Sequence, residues 1–191
     1  MRSFGGALFY LEEHQLLEIY RIAFIGHREI YGQYRLEDRI EDIIRNELHS
    51  KEYVELYVGR NGDFDISVAS ATKRAQDALG HHNSSLVLLQ PYPMKDDVYY
   101  EKFYDELWYP VDPKTHPKAA ITKRNQWMID NADLLVAYVE PDRKGGALTA
   151  LKYAEKKGIS APMHSAAKTD CSMYLMLPSR FSSSVPEREI K

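Results

Sequence analysis

The sequence predicts an α/β fold, a doubly wound parallel sheet with helices on both faces, on three observations. Short apolar runs without polar alternation recur along the chain, a stretch of helical periodicity follows most of them, and turn residues separate the two. Strands that are apolar at successive positions are buried on both faces, as in a parallel sheet covered by crossover helices. Right-handed crossovers then make the sheet doubly wound, and ligands of such sheets sit beyond the strand C-termini.

The first strand is predicted over 22–25, ending at Gly26, and Leu36, Ile40, Ile43, Ile44 and Leu48 then recur at helical spacing. Residues 54–58 make a second strand, glycines at 59 and 62 interrupt it, and Val68, Thr72, Ala75 and Leu79 mark one side of a helix over 64–79. Gly80 is placed to cap that helix. A third strand is predicted over 85–89. The segment beyond it carries Pro91, Pro93, Pro110, Pro113 and Pro117, which argues against a place inside a sheet. A helix over 119–131, a fourth strand over 134–138 and a helix over 147–157, ended by Gly158, complete the expected order: βαβαβ, insertion, αβα. Residues 1–20 read as an N-terminal extension, 21–159 as the α/β domain, and 160–191 as an atypical C-terminal segment, partly mobile around Ser182 and Ser184.

At 191 residues the chain suits one hydrophobic core, and shares of 44% hydrophobic and 28% charged residues are ordinary for a globular protein. A formal net charge of −3 argues against general nucleic-acid binding, which calls for a basic surface. The lone Cys171 cannot form an internal disulfide and no apolar run is long enough to span a bilayer, so a cytoplasmic location without membrane contact is expected. The apolar patch over 4–11 is broken by Glu12 and Glu13 and has no small-residue cleavage site, so it is not read as a signal peptide.

Four stretches fall at strand ends or helix starts: "GHR" (26–28), "GRNGDFD" (59–65), "KRNQWMIDNAD" (123–133) and "KGGALT" (144–149). Loop glycines let a backbone approach a ligand, and the first free N–H groups of a helix point at an anion. The candidate ligand-binding residues are therefore Gly26, His27 and Arg28; Gly59, Arg60, Asn61, Gly62 and Asp65; Lys123, Arg124 and Asn125; and Gly145, Gly146 and Ala147. Arg28, Arg60, Lys123 and Arg124 offer positive charge to a phosphate, and Asp65 offers an acceptor to ribose hydroxyls. Asp63 is either a dipole-favoured helix-start residue or part of the site. "GRNGDFD" is neither a Walker loop nor a dinucleotide fingerprint. His27, His81 and His82 form no recognised metal pattern, so neither metal nor cofactor is expected.

Residues 99–113 gather aromatic rings among carboxylates. Tyr100, Tyr104, Trp108 and Tyr109 are candidates for stacking on a base, against the alternative that they cover the core beneath a long excursion. Asp105 and Glu106 are the candidate catalytic acids, should the protein cleave a glycosidic bond.

The ordered motifs "IAFIGHR", "YVGRNGDFD", "LLQPYP", "YDELWYP", "AAITKRNQWMIDNADLLVAYV" and "GGALTALKYAEKKG" make residues 22–159 resemble the YpsA-like branch of the SLOG superfamily. That superfamily also holds the lonely-guy phosphoribohydrolases and the Smf/DprA proteins. The resemblance implies a Rossmann-like sheet with a nucleotide site at the strand C-termini. Lonely-guy enzymes carry a "PGGxGTxxE" stretch whose Glu takes part in base cleavage, and Lys152 stands at that position here. The family also implies a further β-branched strand after Ile159, which Pro162 and its small polar neighbours weaken.

These readings favour a protein that binds a nucleotide or a nucleotide-derived ligand of the NAD or ADP-ribose kind, as sensor or sequestering protein. Similar SLOG domains act as sensors in bacterial anti-phage signalling. The alternatives are a nucleotide-processing enzyme, an N-glycosidase or phosphoribohydrolase, and a protein-interaction scaffold. The expected partner is a nucleotide-like small molecule, with no general nucleic-acid binding, and a homo-oligomer is expected.

Overall fold

The computed structural model describes residues 17–30, 35–60, 62–140, 142–159 and 173–176. The apolar runs form β1 (Ile19–Gly26), β2 (Tyr53–Val58), β3 (Ser84–Leu89) and β5 (Leu134–Tyr138), and two further short strands, β4 (Glu106–Trp108) and β6 (Met173–Met176), flank them. Four helices, α1 (Leu36–Ser50), α2 (Asp63–Leu79), α4 (Pro117–Asp130) and α5 (Gly146–Lys156), connect the strands, with a single turn, α3 (Asp97–Tyr100), in the excursion after β3. The sheet order is β4-β3-β2-β1-β5-β6. All neighbours are parallel except β5 and β6. This is the expected Rossmann-like α/β architecture.

Successive strand residues point to opposite faces, and here both faces are apolar. Ile22, Phe24, Leu56 and Val58 meet Ile40 and Ile44 of α1 and Val68 and Ala71 of α2. Ala23, Ile25, Val87, Leu135 and Ala137 meet Met128 of α4 and Ala150, Leu151 and Ala154 of α5. Leu36, Ile40, Ile44 and Leu48 are the buried stripe of α1, four residues apart. Gly80, at φ 97, closes α2 in the region that favours glycine, and its N–H donates to Gln76 O at 2.7 Å.

Two strands depart from the expected order. β4 lies in the proline-punctuated segment, yet it is a three-residue edge strand, so Pro110 and Pro113 fall beyond it and no central ladder is broken. β6 lies within the segment expected to be atypical and forms the opposite, antiparallel edge. The expected patches around 4–11 and 182–184 lie outside the described residues.

Asp97 organises the excursion between β3 and β4. Its buried carboxylate accepts from Gln90 Nε2 at 2.8 Å, Met94 N–H at 2.6 Å and the Tyr109 hydroxyl at 2.6 Å. Burial opposes its ionisation, but these donors and the nearby Arg60 guanidinium outweigh burial and hold it below the ordinary aspartate range. Asp97→Ala is expected to cost about 1.5–3 kcal/mol, the worth of a hydrogen bond to a charged group. A depressed carboxyl stabilises above its unfolded pKa and loses that contribution as pH falls through its folded value. The gap between wild type and variant in denaturant melts should therefore close as the pH is lowered below about 4.

Candidate functional site

The chain runs from β1 outward through β2 and β3 to β4, then returns to place β5 on the other side of β1. A crevice opens at the strand C-termini where the order reverses. Three loops meet there: the one after β1, the one after β2, and the one joining β5 to α5.

Hydrogen bonds bolt the loops together. Asp63 donates its N–H to Arg28 O at 2.7 Å and its carboxylate accepts from Ile30 N–H at 3.1 Å. Of the two readings of Asp63, the structure therefore shows the structural one. Gly62 is required at this crossing, because a Cβ there would collide with the Arg28 backbone. On the other side, Glu140 N–H donates to His27 Nε2 at 3.0 Å, and Arg143 donates to Glu29 O at 2.6 Å and to the Glu29 carboxylate at 3.1 Å.

The cleft so formed has a volume of about 280 Å³. Gly26, His27 and Arg28 line it from β1, and Gly59, Gly62 and Asp65 from the β2 side. Arg124 and Asn125 come from α4, and Gly145, Gly146 and Ala147 from the start of α5. The structure thus brings together the glycine loops and the "GHR" and "KRN" stretches.

Arg124 sits at its base. Only 5% exposed, it donates from Nη1 to Leu89 O at 2.8 Å, and its Nε has no hydrogen-bond partner among the described residues. Gly59 makes room for it, since a Cβ there would fall 2.5 Å from Nη1. Burial lowers the Arg124 pKa from its ordinary value, opposed by Asp65. An arginine starts so high that it stays protonated.

The start of α5 forms the facing wall. Its N-cap, Gly145, supplies no side-chain acceptor, no acidic residue stands in the first turn, and Thr149 N–H makes the first helical bond, to Gly145 O. The N–H groups of Gly146, Ala147 and Leu148 therefore lie ahead of the helical ladder, where a helix carries roughly half a positive charge. A Cβ at Gly145 or Gly146 would meet nothing within 4 Å, so the chain is uncovered on that side at the start of the helix. The N-terminus of α2 differs, because Asp63 and Asp65 already occupy its first turn. Arg28 and Lys144 are exposed at the rim.

Several expected residues lie elsewhere. Arg60 turns away to pair with Asp96 at 3.0 Å and to cover the Tyr100 ring at 4.7 Å. Lys123 faces a separate depression beside Trp127, because the α4 face toward the cleft is 121, 124, 125 and 128 at helical spacing. Asn61 lies outside the described residues. Asp105 accepts from Lys73 Nζ at 2.7 Å, Gln76 Nε2 at 3.0 Å and Leu86 N–H at 2.7 Å, which fastens the β3–β4 edge. Glu106 accepts from Ser85 and from Trp108 Nε1. Neither candidate acid lines the cleft; both are engaged at the sheet edge.

The aromatic candidates also lie away from the cleft. Trp108 packs on Tyr57 and Trp127, Tyr104 packs against the core, and the Tyr109 hydroxyl is bound to Asp97. None of the four, Tyr100 included, lines the cleft. Arg143 and Lys144 do line it, although only the glycines after them stood out as binding residues. The signal was their position, immediately before a helix that begins with two glycines. Among the described residues, no group of three or more His, Cys, Asp or Glu side chains is placed to hold a metal ion. No helix among them is long and apolar enough to cross a membrane.

No family model matches the chain, and no curated protein matches it. A solved structure of DNA processing protein A from Helicobacter pylori, described for its single-stranded DNA binding mode, is similar to it. Identity is 18%, the match covers 72% of this chain and 61% of that one, and the TM-score is 0.48.

That protein is described as binding single-stranded DNA, against the two expectations of a nucleotide-like small molecule as ligand and no general nucleic-acid binding. Net charge is a sum, and here it hides a separation. α1 and α2 carry eight acidic and four basic residues, while α4 and α5 carry five basic and two acidic. The cleft also lacks an exposed aromatic ring on which a base would stack.

His27 is buried and accepts a backbone N–H, so it is neutral in the fold, and burial followed by the nearby Arg143 pulls its pKa below the ordinary histidine value. The unfolded chain takes up this proton first. The stabilisation is present above about pH 6.5 and is lost as pH falls through the folded value. Melting temperatures from about pH 8 to about pH 5 should fall more steeply for wild type than for His27→Gln. Parallel curves would remove His27 from this linkage.

Proposed function

We propose that the cleft binds the phosphodiester backbone of single-stranded nucleic acid. One observation carries the proposal: a buried, charged Arg124 with an unpartnered Nε lines the same small cleft as the uncapped, acid-free N-terminus of α5. A phosphate between them would accept from the Gly146 and Ala147 N–H groups and from the guanidinium, replacing water with charge-assisted hydrogen bonds. Arg28 and Lys144 would attract the flanking phosphates. Without an exposed ring in the cleft, the bases would remain outside, so binding would follow the backbone rather than the sequence. The single-stranded DNA bound by the similar solved structure directs the choice of probe, while the site's own geometry supports the reading. Membership of the YpsA-like branch, a cytoplasmic location and residues 21–159 as the folding unit belong to the same proposal, supported by the motif order and the composition.

Titration of fluorescent oligo-dT, oligo-rU and single nucleotides, followed by anisotropy over a range of salt, tests it. Both strands should bind more tightly than the nucleotides, with the two homopolymers separating DNA from RNA as the source of the backbone. Arg28→Gln with Lys144→Gln, both exposed, should weaken strand binding and reduce the slope of log affinity against log salt by about 1.4, or about 0.7 per phosphate contact. Strand affinity and slope equal to wild type in the double variant would overturn the proposal.

A further inference from the structure

A second depression runs between α4 and α5 and shares two lining residues, Asn125 and Gly146, with the cleft. Its volume is about 250 Å³. Gly146, Thr149, Lys152, Tyr153 and Lys156 form one face of α5 at three- and four-residue spacing, and Thr122, Asn125 and Gln126 of α4 oppose them. The groove is therefore a continuation of the cleft along two helices, on the basic side of the sheet.

The charges in it are available. Asp130, the nearby acid, is engaged by Lys157 at 3.0 Å and by the Tyr153 hydroxyl at 2.8 Å. Lys152 and Lys156 are exposed and enter no ion pair among the described residues. Lys152 is also where the motif resemblance would place a catalytic carboxylate, so the exchange replaces a group that repels phosphate with one that attracts it. Ala150 and the partly buried Tyr153 supply an apolar floor between the polar walls.

We infer that the α4–α5 groove is a second phosphate subsite, and that a single nucleic-acid strand anchored in the cleft continues along it over Lys152 and Lys156. The inference rests on the proposed function of the cleft and adds a direction to it. At 1.5 Å per residue, Lys156 lies about 15 Å along α5 from Gly146. At about 3.4 Å per stacked nucleotide, that length takes roughly four nucleotides. Charge and continuity fit a polyanion entering from the cleft. An acidic peptide is the competing occupant.

The test compares a dinucleotide, which fills only the cleft, with an oligo-dT of about twelve nucleotides, on wild type, on Lys152→Gln with Lys156→Gln, and on Arg28→Gln with Lys144→Gln. The groove variant should bind the long strand with a salt slope smaller by about 1.4 and at least several-fold more weakly at low salt, while binding the dinucleotide as wild type does. The cleft variant should lose affinity for both. Unchanged melting temperatures show that these exposed substitutions leave the fold intact. If the long strand depends on Arg28 and Lys144 but not on Lys152 and Lys156, the groove inference falls and the cleft reading stands. If no oligonucleotide binds wild type, both fall. A poly-glutamate peptide that binds at the groove without competing with oligo-dT would also overturn the inference, by assigning the groove to an acidic protein.

Discussion

A sheet buried on both faces leaves little room for polar chemistry except at its ends, and here the chain opens one end by reversing its winding between β1 and β5. Helices leaving to one side of β1 pack against one face, and helices returning beside β5 pack against the other. The two layers diverge above the strand C-termini, and every group of the candidate site stands in that divergence. The rest of the architecture serves to hold its three loops in register.

The described residues of the three loops are tied to one another by identifiable contacts. Gly62 lets two backbones cross, Asp63 ties both, and neutral His27 and Arg143 bring the third loop in. The resulting cleft is an array of donors held by contacts between its loops. Preorganised donors lose little entropy on binding, which matters for a ligand as strongly hydrated as a phosphate. Arg124 could not be buried this way without Gly59, whose missing side chain is the space that the guanidinium fills.

Much of the fold and the site was legible in the residues. The apolar runs located the four inner strands, because a strand buried on both faces cannot alternate, and the stripe from Leu36 to Leu48 located α1. The edge strands β4 and β6 were not legible as strands: three or four residues with one paired side carry too little apolar signal. Among the site residues, Gly26, Gly59 and Gly62 were good guides because a close approach leaves little room for a larger side chain there. Charged residues were poorer guides. Arg60 and Lys123 are as basic as Arg28 and Arg124, yet Arg60 found Asp96 and Tyr100, and Lys123 lies off the α4 face that meets the cleft.

By itself the sequence determined the layered α/β architecture and the convergence of its glycine loops, since both follow from local apolar pattern and steric necessity. Only the tertiary structure decided which charges face the cleft, that the aromatic excursion lies away from it, and that the helix pair on one face of the sheet is acidic while the pair on the other is basic. The reason is the same in each case. Periodicity states which residues share a face, but which face meets which is settled by packing, and electrostatics depends on distances that the linear order does not contain.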